Sequence, residues 1–150
     1  MSEKDPIRVY VVHLFESDVD YLRLFEYLEN RDSFFYINLS RPDSMPEGGL
    51  EPMKAELRSQ IENAEIVVVP MSTYDRNEDL AKFQLDVAQA AHKPVLAIQS
   101  FGGTVALNKL ILDRSDDVVE WNDRTITDAI KKLARNEDTS QWEVLEFDMD

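Results

Sequence analysis

The chain contains no cysteine and only two histidines. Disulfides, thiolate metal sites and cysteine nucleophiles are thereby excluded, and too few ligands remain for an ordinary transition-metal centre. Glycine is scarce as well, at four residues, and neither a GxGxxG nor a Walker pattern occurs. The pair Gly102 and Gly103 is not a phosphate loop by itself, although a glycine turn is compatible with close backbone approach to a nucleotide. No apolar run approaches the roughly 20 residues of a membrane span, and the opening MSEKDPIR is charged where a secretory signal needs an apolar core. A soluble, cytoplasmic protein is expected. Positive charge is short too: 16 basic residues face 30 acidic ones, for a net charge of −14. Such a field repels phosphate backbones and anionic lipids, so neither nucleic acid nor a membrane is an expected partner.

What the chain does have is an alternation of apolar runs with helical patterns. The runs are Ile7 to Val12, Phe34 to Leu39, Ile66 to Val69, Val95 to Ile98 and the weaker Val118 to Trp121. Runs apolar on both faces belong to a covered parallel sheet. Right-handed crossovers then favour an α/β, flavodoxin-like three-layer sandwich with five parallel strands in the order 2-1-3-4-5.

The first helix is predicted from Ser17 and Asp20 at capping-box spacing, with Tyr21, Leu24, Phe25 and Leu28 on one face. The second starts near Pro52 and buries Met53, Leu57 and Ile61. A polar loop follows the third strand. The third helix opens with Asp75 and Glu78 and buries Leu80, Phe83, Val87 and Ala91; a fourth carries Leu107, Leu110 and Ile111, and the last carries Ile126, Ile130 and Leu133. Residues 1–136 read as one domain. The remainder, 137–150, reads as an acidic tail whose Trp142, Val144, Leu145 and Phe147 suit an edge strand or a strip across the sheet.

Ligands of such folds sit at the strand C-termini, in the crevice where the winding reverses. The residues just beyond the apolar runs are therefore the candidates for chemistry: His13 after the first, Ser72 and Tyr74 after the third, Ser100 and Phe101 after the fourth. Residues 40–49, with two prolines and two glycines, form a long loop on the same rim. Gln84 stands on or beside the apolar face of the third helix, where a polar side chain needs a partner. It reads either as a core-edge amide bonded to backbone or as a group held for a ligand. His13 likewise reads as a structural residue or as an acid or base, and His92 as a helix C-terminal cation. Ser72 has no histidine near it in sequence and no nucleophile elbow around it, which disfavours a serine hydrolase.

The segments VYVVHLFESDVDYLRLFEYLE, FFYINLSRPDS, LRSQIENAEIVVVPMSTY, FQLDVAQAAHKPVLAIQSFGG and DDVVEWNDRTITDAIKKL, in that order and spacing, resemble the TIR-like family of bacterial Thoeris anti-phage defence systems, from about Val9 to Leu133. The resemblance implies a flavodoxin-like fold with a nucleotide pocket at the strand C-termini. It also implies cleavage of the nicotinamide N-glycosidic bond of NAD, often with cyclisation of the ADP-ribose into a signal for an effector. A family glutamate on the third helix serves the oxocarbenium-like ribose, and this chain has Gln84 at that position. An amide keeps the shape but offers no negative charge to a developing cation. Val12 and Leu80 also replace a serine and a tryptophan of the family pattern. His13, Phe15, Phe101 and Gly102 match its histidine, aromatic and Trp-Gly positions, and Ser72 and Tyr74 complete the expected nucleotide site.

Three readings follow. A TIR-like signalling module binds an NAD-like nucleotide or a partner protein without cleaving NAD. An active NAD hydrolase or cyclase uses Gln84 to hold the ribose and His13 to assist. A nucleoside deoxyribosyltransferase-like enzyme is weaker, because it too relies on a carboxylate. NAD enters as substrate or ligand, with no tightly bound cofactor. Self-association, an effector or a second TIR-like protein are the implied partners. An intact pocket would make Gln84→Glu create or raise NAD cleavage.

Overall fold

The computed structural model describes residues 1–100 and 108–137. Strands β1 (Ile7–Val11), β2 (Tyr36–Asn38), β3 (Ile66–Pro70), β4 (Val95–Ile98) and β5 (Asp117–Val119) form one all-parallel sheet in the order β2-β1-β3-β4-β5. This is the flavodoxin-like order that the alternation of apolar runs implies. Side chains of a strand alternate between faces, and each apolar run here feeds two cores at once. Val9, Val11, Val68 and Leu96 enter one, against α1 (Val19–Glu29) and α6 (Asp123–Arg135). Tyr10, Val67, Val69 and Ala97 enter the other, against α2 (Leu50–Glu62), α3 (Met71–Arg76), α4 (Glu78–Ala90) and α5 (Lys109–Arg114). Each large aliphatic side chain so buried contributes about 1.5–3 kcal/mol. The sheet is therefore the stable platform of the molecule.

Several local expectations are corrected by the structure. The first helix is capped by Asp18, not Ser17: its carboxylate accepts from the backbone N–H groups of Asp20 and Tyr21. Asp75 and Glu78 form no capping box. The segment after β3, predicted as a polar loop, folds into the short helix α3, and Asn77 caps α4 by accepting from the Leu80 N–H. The capped start also rotates the buried face. Ala81, Gln84, Leu85 and Ala88 are buried, Leu80, Phe83 and Val87 are only half-buried and Ala91 is exposed. Ala81, Leu85 and Ala88 join the core cluster beside Val67, Val69 and Ala97, and Phe83 is left half-buried beside Lys54 and Arg58 of α2. In α2 the buried residues are Leu57, Gln60 and Ile61, with Met53 half-buried. Gly48 and Gly49 start that helix with φ of 106° and 89°, a backbone region open to glycine. Leu107 and the tail 138–150 lie outside the described residues.

Two termini of helices are closed by left-handed residues other than glycine. After α4, the Lys93 N–H bonds to the Ala88 carbonyl and the His92 N–H to that of Gln89, with His92 at φ 57°. That is a Schellman closure, so His92 has a conformational role. Asn136 closes α6 at φ 55°.

At the end of α6, Arg135 joins three parts of the chain. Its guanidinium donates to both Glu65 oxygens at 2.7 and 3.0 Å, to the Asp5 carboxylate at 2.7 Å and to the Pro6 carbonyl at 3.0 Å. Glu65 accepts in addition from the Arg8 backbone N–H at 2.8 Å. Both side chains of the Arg135–Glu65 pair are mostly buried, at 17% and 16% exposed, so losing one partner strands the other. The Arg135 bond holds the Glu65 carboxyl below its ordinary value. Arg135→Ala is expected to cost about 2–3 kcal/mol near neutral pH, measured by urea unfolding. Because the folded value is depressed, that contribution is complete above the unfolded value of about 4.5 and disappears as pH falls through the folded one. The difference between wild type and variant should accordingly shrink in acid.

Candidate functional site

The crevice lies where β1 and β3 end beside each other, at the winding reversal of the sheet. Just past β1 the chain turns sharply, and Phe15 takes the left-handed φ of 57°, an uncommon state for an aromatic residue. The Phe15 N–H donates to His13 Nδ1 at 3.2 Å, and the two rings meet edge to face with centroids 4.7 Å apart. That bond fixes the tautomer. With Nδ1 as acceptor, Nε2 carries the proton and donates to Gln60 Oε1 at 2.9 Å. His13 is buried at 1% exposure, and desolvation lowers its pKa despite the Gln60 bond and the carboxylates of Asp43 and Glu56. A neutral imidazole with both nitrogens engaged is a structural element of the rim.

Gln60 extends this network along the rim loop. Its Oε1 also accepts from the Arg41 N–H at 2.9 Å, and its Nε2 donates to the Arg41 carbonyl at 3.3 Å and to Glu56 at 2.9 Å. One side chain thus clamps the start of the loop to the end of β1. Beside it, Tyr21 Oη pairs with Ser40 Oγ at 2.8 Å and accepts from Asn38 at 3.1 Å.

Gln84 projects from α4 under the same turn. Its Oε1 accepts from Tyr10 Oη at 2.6 Å and from the His13 N–H at 3.2 Å; its Nε2 donates to the His13 carbonyl at 2.7 Å and to the Leu80 carbonyl at 3.2 Å. An amide has two donors and two acceptor sites, and all four are filled. Gln84 has no accessible surface. The core-amide reading of Gln84 is the one this geometry shows. It also gives no route by which a carboxylate at this position would meet a ligand.

The other candidates fall into different surroundings. Ser72, half-buried at the start of α3, donates to the Asp20 carboxylate, which also pairs with Arg23. Tyr74 is 3% exposed within the core between α3, α4 and α5, and burial pushes its pKa up. The carboxylate nearest Gln84 in sequence, Asp86, lies on the outer face of α4 and pairs with Lys82 at 3.1 Å and with Arg114. Phe101 and Gly102 lie outside the described residues. The structure therefore brings His13, Phe15 and Gln84 together, with Ser72 in a neighbouring network.

Asp18, Thr73 and Arg76 belong to these networks without any sequence motif that singles them out. Asp18 is 5% exposed, caps α1 and accepts from Thr73 Oγ1 at 2.7 Å, with Arg76 at 3.3 Å. Together with Ser17, Asp20, Ser72 and Arg76 it lines a cleft of about 380 Å³. Gln60 carried the same signal that drew attention to Gln84, a polar residue adjoining an apolar helical face. Among the described residues, no group of three or more His, Asp or Glu is arranged to hold a metal ion, and no helix is long and apolar enough to cross a membrane.

The fold defines a flavodoxin-like α/β protein, with His13, Gln60 and Gln84 forming a neutral hydrogen-bonded network at the end of β1 and Asp18, Asp20 and Arg76 forming a charged one beside it. No protein-family model matches the chain, and no curated protein matches its sequence at a significant level.

Two outcomes test this account of the rim. Gln84→Glu would set one carboxylate oxygen against the carbonyls of His13 and Leu80, so its folded pKa should be raised. A raised folded value means the destabilisation is small below the unfolded value of about 4.3 and grows as pH rises through it. Chemical denaturation should show a loss of about 2–4 kcal/mol at pH 7 that narrows toward pH 4. For His13 the folded pKa is lowered from 6.5, so wild-type stability should fall as pH drops below that value, where the unfolded chain gains a proton that the folded chain refuses. In His13→Gln that part of the pH dependence should be missing.

Proposed function

We propose that this protein is a TIR-like signalling module of the bacterial anti-phage defence type, which binds an NAD-like nucleotide or a partner protein and does not cleave NAD. One observation carries the reading: Gln84, at the position the resemblance assigns to the catalytic glutamate, is buried with its whole hydrogen-bonding capacity used inside the protein. Cleavage of an N-glycosidic bond needs negative charge beside a developing oxocarbenium ion. An amide supplies none, and this one is turned to the backbone. His13 adds no acid or base, since its two nitrogens are held by Phe15 and Gln60. Asp86 faces Arg114 and Lys82, so it offers no substitute carboxylate.

The rim retains features that suit a nucleotide. Phe15 is half-buried at the edge of the crevice, an aromatic surface for a base or nicotinamide ring. Arg41 is clamped there through its backbone, while its exposed side chain has no ion pair among the described residues. A guanidinium so placed suits a pyrophosphate. Self-association, or pairing with an effector or a second TIR-like protein, belongs to the same proposal.

The test is incubation of purified protein with NAD, following nicotinamide and ADP-ribose products by chromatography, alongside calorimetric titration with NAD and ADP-ribose. No turnover is expected in wild type or in Gln84→Glu. Nucleotide binding, where present, should weaken about tenfold or more in Arg41→Ala. Nicotinamide release by the wild type would overturn the proposal in favour of an active NAD hydrolase or cyclase.

A further inference from the structure

The first turns of α2 and α4 leave a groove of about 480 Å³ between them, lined by Leu50, Met53, Lys54, Asn77, Asp79, Leu80 and Phe83. Its floor is apolar. Leu50 is 56% exposed, and Met53, Leu80 and Phe83 are half-buried, so the groove presents hydrocarbon and aromatic surface that the fold itself does not cover. Along its α2 edge, Lys54 and Arg58 stand four residues apart on one helical face. Both lie over the Phe83 ring, Lys54 Nζ at 5.4 Å and Arg58 Cζ at 5.2 Å from its centre. Neither forms an ion pair among the described residues.

Two such cations over one ring form a local concentration of positive charge on an acidic molecule. With 30 acidic residues against 16 basic ones, most of the described arginines sit against a carboxylate, as Arg8, Arg76, Arg114 and Arg135 do. Lys82, on the neighbouring turn of α4, is taken by Asp86. Charge around the groove is mixed: α4 brings Asp79 and the exposed Glu78, and α2 brings the exposed Glu51 in its first turn and, one and two turns further on, Lys54 and Arg58, which meet at the Phe83 ring. A ring held under two cations is a preformed surface for a group that brings its own carboxylates.

The geometry points to a docking groove for an acidic amphipathic helix of a partner protein, its apolar face laid on Leu50, Met53, Leu80 and Phe83 and its carboxylates against Lys54 and Arg58. This is the helix-in-groove mode, in which apolar anchors give affinity and flanking charge sets orientation. The inference rests on the binding-module reading only for its choice of a protein partner, and it is tested separately from nucleotide binding.

The probe is a fluorescently labelled amphipathic peptide with leucines at i, i+3, i+4 and i+7 flanked by glutamates, titrated against the full chain by anisotropy. A matched peptide with lysines in place of the glutamates is the control. The glutamate peptide should bind about tenfold or more tightly than the lysine peptide, at low ionic strength. Lys54→Glu/Arg58→Glu, a double change on exposed or half-exposed positions, should abolish or reverse that preference with the thermal unfolding midpoint little changed. Phe83→Ala should weaken binding of both peptides. Absence of binding by the glutamate peptide, equal binding of the two, or a preference that survives the double change would each overturn the inference. Self-association of the wild type that the double change abolishes, seen by sedimentation, would overturn it in favour of a second copy in the groove. Nucleotide binding with no peptide binding would remove this inference and leave the proposed module intact.

Discussion

The bond between Gln84 and the end of β1 is the constraint on which the rest of the rim depends. A parallel sheet covered on both faces has no water at its centre, so backbone groups that leave the ladder there must find partners inside the protein. At His13 the chain leaves β1 to make a turn. Gln84 supplies an acceptor for the His13 N–H and a donor for its carbonyl, and Tyr10 from the same strand closes the arrangement. With that segment fixed, Phe15 can be held in a left-handed conformation, and its N–H can fix the His13 tautomer. The tautomer in turn orients Nε2 to Gln60, and Gln60 holds the rim loop. The chain of dependence runs from a helix in one layer to a loop on the rim through neutral groups.

Neutrality has chemical consequences. A carboxylate in the place of Gln84 would carry charge into a site with two carbonyls, and desolvation would drive it toward its protonated form. An amide fills this position without that cost. The same logic keeps His13 uncharged, although Asp43 and Glu56 favour its cation, because burial outweighs them. The charged groups of the rim, Asp18, Asp20 and Arg76, stand in the neighbouring cleft.

Much of the architecture was legible in the chain because the physical signal is local. Val67, Val68 and Val69 are apolar in sequence for both faces, which only a doubly covered strand requires, and parallel connectivity then leaves few orders for five strands. The short α3 was missed because a six-residue helix has no room for a periodic face. The helical cap was placed one residue early because Ser17 and Asp18 both satisfy the composition of a cap, and the choice depends on which side chain turns toward the N–H groups. The buried face of α4 departs from the pattern for a related reason: large apolar residues are the stronger signal, yet the core takes Ala81, Leu85 and Ala88 and leaves Leu80, Phe83 and Val87 half-buried.

Sequence alone determined the class of fold, the absence of cysteine chemistry, the excess of negative charge and the suspicion attached to a glutamine on an apolar helix. Each of these is a property of composition or of spacing along one segment. Only the tertiary structure decided what that glutamine does, which nitrogen of His13 bears the proton, and that Lys54, Arg58 and Phe83 share one groove. Those facts arise between residues 71, 47 and 25–29 positions apart. Hydrogen-bond saturation and charge compensation are settled by neighbours in space, and a one-dimensional pattern does not contain them.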